Sequence, residues 1–169
     1  MSIKYLFSLC LLLVLFSCNS SKERPIEKES PIERPVQPAD SWADFWKAFS
    51  TAVAKKDIGK VAGLTKLPLQ NNLDDGGWTK EIMAERFADL FDETATSKFQ
   101  QATGRDFRAM PSNEETAGFM NTPLGIELKV INVLYIFDEG TDDQTESSKT
   151  FVFGEVDGQF KLLSVVFAG

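Results

Sequence analysis

The chain has 169 residues, two cysteines, no histidine, and 25 acidic against 18 basic residues, a formal charge of −7. Without an imidazole, Ser-His-Asp and Cys-His nucleophilic sites and histidine-based zinc centres are excluded. The acidic balance argues against a nucleic-acid partner, and no glycine-rich loop stands between a strand and a helix to cradle a phosphate.

The chain opens with one basic residue, Lys4, followed by an apolar run from Tyr5 to Phe16. A run of about a dozen residues is the length of a secretory signal core, whereas a membrane span needs roughly 20. It stops at Ser17-Cys18-Asn19-Ser20-Ser21. Leu15-Phe16-Ser17-Cys18 resembles the lipobox of bacterial lipoproteins, departing from it in the bulk of Phe16. The resemblance implies that residues 1–17 are a removed signal and that Cys18 becomes the lipidated N-terminus, attached to a bacterial membrane. Because each buried methylene contributes ~0.8 kcal/mol and one chain is marginal, several acyl chains hold such an anchor stably. Asn19 is not the Asp that commonly retains lipoproteins at the inner membrane, so the expected location is the outer membrane, facing periplasm or exterior. Metabolic labelling with palmitate is expected to mark the wild type and not Cys18→Ala; equal labelling of the two would refute lipidation.

Removal of the signal takes away Lys4 and Cys10. The mature chain then carries 17 basic against 25 acidic residues, a formal charge of −8. Its folded part has neither thiol nor disulfide, so cysteine catalysis and thiolate metal sites are excluded and the core alone must hold the fold.

Residues 18–40 comprise the lipidated Cys18 and a linker with four of the seven prolines, charges of both signs, and Pro-Ile-Glu at 25–27 and again at 31–33. Proline-rich chain favours an extended conformation, and the 22 residues after Cys18 could hold a domain up to ~65 Å from the bilayer. Residues 41–169 have the size of one domain.

Within that domain Ser41 is a helix cap, with Asp44 three residues on. Trp42, Phe45, Trp46, Phe49, Ala52 and Val53 then recur at helical spacing. A second helix is expected to start at Asp57, carry Ile58, Val61, Ala62 and Leu64, and end before Leu67-Pro68-Leu69. Gln70 to Gly77 reads as a loop by its turn residues. Thr79 caps a third helix through Ile82, Met83, Phe87, Leu90 and Phe91, and a fourth runs from about Glu93 to Gln101. From Thr103 to Pro123 periodicity fades, leaving loop with at most a short strand or helical turn.

After Pro123 the pattern changes to strands at 126–137, 149–156 and 159–167. Asp157-Gly158 between the last two is a type I′ hairpin signal, since that turn needs positive φ at both central positions. Pairing Val156 with Gln159 sets Glu155 opposite Phe160, Phe153 opposite Leu162 and Phe151 opposite Ser164. Both hairpin faces then carry apolar residues and both look covered.

Helices followed by long antiparallel strands predict an α+β domain, with N-terminal helices packed on a curved, mainly antiparallel sheet. The aromatic first helix, the Lys56-Asp57 step, the Leu-Pro-Leu exit, the helix ending in Phe91 and the closing hairpin Asp157-Gly158-Gln159-Phe160-Lys161-Leu162 together resemble the nuclear transport factor 2-like, or SnoaL-like, cone fold, over most of residues 41–169. That resemblance implies a cone with a pocket at its wide end, used by some relatives for catalysis and by others for binding, and often pairing through the sheet face as a homodimer. Related enzymes commonly use an Asp/His pair, which this chain cannot supply.

Carboxylates and aromatics are the chemistry that remains. Asp74 and Asp75 beside Trp78 are either solvated loop acids or an acid pair near an aromatic platform. Glu155 is either a strand-end acid in water or, with the Phe-rich face inward, a desolvated carboxyl. Four acids between Asp138 and Asp143 could gather oxygen ligands but lack EF-hand spacing, and read better as a polar strand connection. Trp42, Trp46, Trp78, Tyr135, Phe151 and Phe153, with Ser164 as a polar group, are either core or the lining of an apolar ligand pocket. No catalytic residue, metal site or cofactor is assigned. The expectation is a noncatalytic, membrane-tethered binding module for an apolar small molecule, peptide or protein. Two alternatives stand beside it: a pocket isomerase or hydrolase using Asp or Glu with Tyr135, and a structural or assembly lipoprotein, which a collapsed pocket and an exposed apolar sheet face would support.

Overall fold

A computed structural model describes residues 41–137 and 145–169. The expected signal, Cys18, the expected linker and the acidic run from Asp138 to Asp143 lie outside the described residues. Helix α1 spans Trp42–Ala54, and Ser41 caps it as expected, its Oγ accepting from the Asp44 amide at 3.2 Å and donating to the Asp44 carboxylate at 2.7 Å. Its spacing buries Phe45, Phe49, Ala52 and Val53 along one stripe, while Trp42 and Trp46 are half-buried at the stripe's edge. Asp57 caps α2 (Ile58–Gly63) through the Lys60 amide.

The expected loop after α2 is in part a strand. Thr65–Asn71 form β1, so Leu67-Pro68-Leu69 and the first two residues of the expected loop belong to the sheet. The strand pairs in parallel with the C-terminal strand, an interaction with residues some 95 positions away that no local pattern encodes. The expected third helix is broken at Arg86 into α3 (Lys80–Glu85), capped by Thr79, and α4 (Phe87–Leu90). The fourth is α5, Glu93–Gln101, capped by Asp92. Between Thr103 and Pro123 lie a 3-10 turn at Gly104–Asp106, the edge strand β2 (Arg108–Pro111) and a seven-residue helix α6 (Glu114–Met120). A reciprocal Asn113–Thr116 capping box starts α6 and Asn121 in the left-handed region ends it. Lys98 fastens the 3-10 turn to α5 by a 2.7 Å bond to Asp106, whose carboxyl is lowered to about 2 by Lys98 and by the amide and hydroxyl of Thr103.

Strands β3 (Glu127–Phe137), β4 (Thr145–Val156) and β5 (Gln159–Ala168) complete a five-stranded mixed sheet in the order β1-β5-β4-β3-β2. All its neighbours are antiparallel except β1 and β5. The hairpin turn has φ of +52° at Asp157 and +73° at Gly158, and Glu155 pairs with Phe160 and Phe153 with Leu162 as the turn dictates. Beyond that point the register slips. Phe151 stands opposite Val165 and not Ser164, because Leu163 is an extra residue in a β-bulge.

The bulge keeps apolar residues on both faces. One face of the sheet, with Ile131, Val133, Phe151, Phe153, Leu162 and Val165, meets the helices in the main core. The other holds Leu128, Val130, Val152, Leu163 and Val166 under Met120 of α6. On the hairpin both faces are covered, as expected, Val152 and Leu163 being as buried as Phe151 and Phe153; farther along β3 the second face is open, and Leu134 and Ile136 are 48% and 59% exposed.

Candidate functional site

The space between the helices and the sheet is filled by the protein's own rings. From α1, Trp42, Phe45, Trp46 and Phe49 all meet Phe153, with centroid separations of 5.2–5.9 Å. Phe99 of α5 packs edge-on against Phe151 at 4.8 Å, and Phe107 edge-on against Trp46 at 4.7 Å. Offset and edge contacts at these separations are the favoured aromatic geometries. Phe45, Phe49, Phe151 and Phe153 are fully buried. The aromatic residues singled out in the sequence thus interlock as core.

Of the others, Trp78 is buried elsewhere, beside Phe167 at 6.0 Å, and its indole N–H donates to Asp74 at 2.6 Å. Asp74 therefore meets the ring's polar edge, not its face, and Asp75 is exposed. Ser164 is buried beside the bulge, opposite Val152, and its Oγ has no hydrogen-bond partner. Glu155 is exposed at the end of β4.

Tyr135 sits in the one place where titratable groups from distant parts of the described chain converge. Its hydroxyl donates to Asp92 Oδ2 at 2.7 Å, and Lys149 Nζ donates to the same oxygen at 2.5 Å and also to the Asp89 carbonyl. Lys149 lies 5.0 Å from the Tyr135 ring centroid, close enough for cation–π attraction. The other Asp92 oxygen caps α5 through the Ala95 amide at 2.8 Å. Partial burial works against the Asp92 charge, but the Ala95 amide, Lys149 and Tyr135 outweigh it and hold the carboxyl below its ordinary value. Burial, and then the bond to ionised Asp92, push the Tyr135 phenol far above its ordinary value.

The chemical meaning of this arrangement follows from its saturation. A phenol held protonated is a poor base, and a carboxylate already accepting from an amide, a phenol and an ammonium has little capacity left to take a substrate's proton. What it does is fasten the α4–α5 junction to β3 and β4. Sequence reasoning missed Asp92 and Lys149. Asp92 stands three residues before Ala95 at the head of a helix, a cap signal, and Lys149 shares the β4 face of Phe151 and Phe153; their partnership spans 57 residues and leaves no local trace.

Two surface depressions lie away from this cluster. One of about 410 Å³ is bounded by Met110, Pro111, Gly125 and Ile126. The second, of about 390 Å³, is bounded by Ile126, Glu127, Glu155, Gly158 and Phe160. Among the described residues no group of three or more acids could hold a metal ion, and no helix is long and apolar enough to cross a membrane.

No family model and no curated protein matches the chain. Among solved structures it is similar to a Xanthomonas campestris protein described as a calcium/calmodulin dependent protein kinase II association domain, at 11% identity and a TM-score of 0.39, over 74% of this chain and 82% of that one. It is also similar to a five-substitution variant of a chain named for nuclear transport factor 2, at 9% identity and 0.37, over 75% and 95%. A Pseudomonas putida nuclear transport factor 2-like protein of unknown function gives 10% and 0.34, over 75% and 82%. The chain itself has an α+β fold, a five-stranded mixed sheet closed by a long hairpin, with α1 to α5 on one face and α6 over part of the other.

Proposed function

We propose that this protein is a noncatalytic binding module, tethered by lipid to the outer membrane and working outside the cytoplasm through the outer face of its sheet. The observation that carries the reading is the filled interior: the rings that would line a ligand pocket pack against one another, which moves the binding surface outward. Outside, alternation along the strands puts Asn132, Leu134 and Ile136 of β3 on the face opposite the helices. Register sets Leu134 beside Ser148 and Ala168, and Asn132 beside Thr150 and Val166. Glu146, paired with Ile136, is the one charged residue of this stretch.

For a mature chain of formal charge −8, a face with a single charged residue and the exposed Leu134 and Ile136 side chains is where a second copy can approach with least repulsion. A homodimer through this face is therefore the contact to test first. Light scattering of the lipid-free chain is expected to give a dimer mass that Ile136→Lys reduces to the monomer, with thermal stability changed by no more than ~0.5 kcal/mol because the site is exposed. A wild type that is monomeric at high concentration would rule out the self-association and leave the face to another protein.

A further inference from the structure

Strand β3 outruns its edge partner. The β2 ladder ends with Arg108 opposite Val130, whereas β3 continues to Phe137 and is paired with β4 all along that length. In an antiparallel ladder the N–H and C=O of one residue point to the same side, and successive residues alternate. The Ser112 amide donates to the Ile126 carbonyl at 2.9 Å on the β2 side, and neither ladder of β3 shifts register. Leu128 and Val130 therefore face β2, and Asn132, Leu134 and Ile136 turn their main-chain groups to the edge beyond it. Among the described residues no strand or loop pairs with them there.

This edge lacks the usual protections. Open edges are normally blunted by lysine, proline or a bulge, and the stretch Ile131-Asn132-Val133-Leu134-Tyr135-Ile136 has none of them. The side chains that stand on its outer face are Asn132 and the largely exposed Leu134 and Ile136. Unpaired main chain flanked by exposed apolar side chains is a template for another strand.

Resting on the self-association proposed above, we infer that the second copy joins edge to edge, its β3 antiparallel to this one about a two-fold axis at Leu134, so that the two sheets become one. Asn132 and Ile136 are spaced evenly about that axis. Leu134 then exchanges both main-chain hydrogen bonds with the partner's Leu134, and Asn132 and Ile136 exchange theirs with the partner's Ile136 and Asn132. A foreign peptide would satisfy one open edge; a second copy satisfies two and buries one Leu134 against the other. Neither β2 obstructs the pairing, because the partner's Val130 falls beyond Ile136. The charges agree. Glu146 stands beside Ile136 and Arg108 beside Val130, so the two-fold brings each Glu146 to the same end as the partner's Arg108 and sets neither against its own counterpart.

Light scattering tells whether the lipid-free chain self-associates, and cysteine pairing tells where. With Cys10→Ser and Cys18→Ser in place, Leu134→Cys is expected to oxidise largely to a covalent dimer, since residues hydrogen-bonded across an antiparallel pair have Cα atoms about 5.5 Å apart, within disulfide reach. Ile136→Cys alone is expected to stay uncrosslinked, its two copies being offset by ~13 Å along the strands. Mixed with Asn132→Cys it is expected to crosslink. All three positions are exposed, so the variants keep the fold. A chain that is dimeric by scattering, but whose Leu134→Cys crosslinks no more than Ile136→Cys, would overturn the edge pairing and leave binding through the outer face standing. A wild type monomeric at high concentration would overturn the self-association and the edge pairing together.

Discussion

Phe153→Ala is expected to lower stability by about 3–5 kcal/mol, the range for removing a fully buried aromatic side chain that leaves a cavity. Phe153 is fully buried and meets four rings of α1 at once, so its removal empties the middle of the main core and the ring cluster around it can collapse only in part. For a domain of this size the loss corresponds to a fall of roughly 10–20 °C in thermal midpoint. The variant also reports on function. A cavity lined by rings stays dry and accepts small apolar molecules, so benzene or indole should raise the midpoint of Phe153→Ala and leave the wild type where it is. If instead the wild type gains several degrees from such a probe, its interior opens readily, and the reading in which binding takes place only outside fails.

Asp92→Ala is expected to cost about 2–3 kcal/mol, from two sources. Loss of the α5 cap contributes ~1 kcal/mol, and stranding the Tyr135 hydroxyl and the Lys149 ammonium contributes a further ~1–2. The side chains of Lys149 and Asp92 are 15% and 30% exposed; water can reach them, which keeps the cost below the 3–5 kcal/mol of a fully buried broken pair. Asp92→Asn should cost less, because an amide oxygen can still cap the helix. The pH dependence follows from the same bonds. The Asp92 pKa is depressed in the folded protein, so its contribution is complete above the unfolded carboxyl value near 4 and is lost as pH falls below it. The Tyr135 pKa is raised, so its contribution is complete below about pH 10 and is lost as pH rises beyond. Tyr5 is the only tyrosine besides Tyr135. Tyrosinate absorbance of Tyr5→Phe should therefore appear only together with alkaline unfolding, and a reversible ionisation near pH 10 with the fold intact would show that the Asp92 bond does not hold the phenol.

The parts of this protein legible in its sequence are those fixed by a few adjacent residues. Ser41, Asp57 and Thr79 cap helices because a side-chain oxygen can reach an amide three residues on, whatever the rest of the chain does. Asp157-Gly158 makes the hairpin because these two residues tolerate positive φ. Even the aromatic stripe of α1 is a local fact, since helical spacing alone lines up Phe45, Phe49 and Val53.

Pairing and packing between distant residues had to be decided by the tertiary structure. Strand β1 exists because Thr65–Asn71 find an edge at β5, and the bulge at Leu163 shifts Ser164 away from the partner that the hairpin turn alone would give it. Asp92 and Lys149 look like ordinary surface charges until the sheet brings them to Tyr135. The same holds for function. Sequence limits the protein to chemistry without histidine, and places a resemblance to a lipid anchor ahead of the domain. Whether its aromatic residues line a pocket or fill it depends on how closely α1 and α5 approach β4. At ring separations near 5–6 Å they fill it, because facing rings so close together leave no room for a ligand between them.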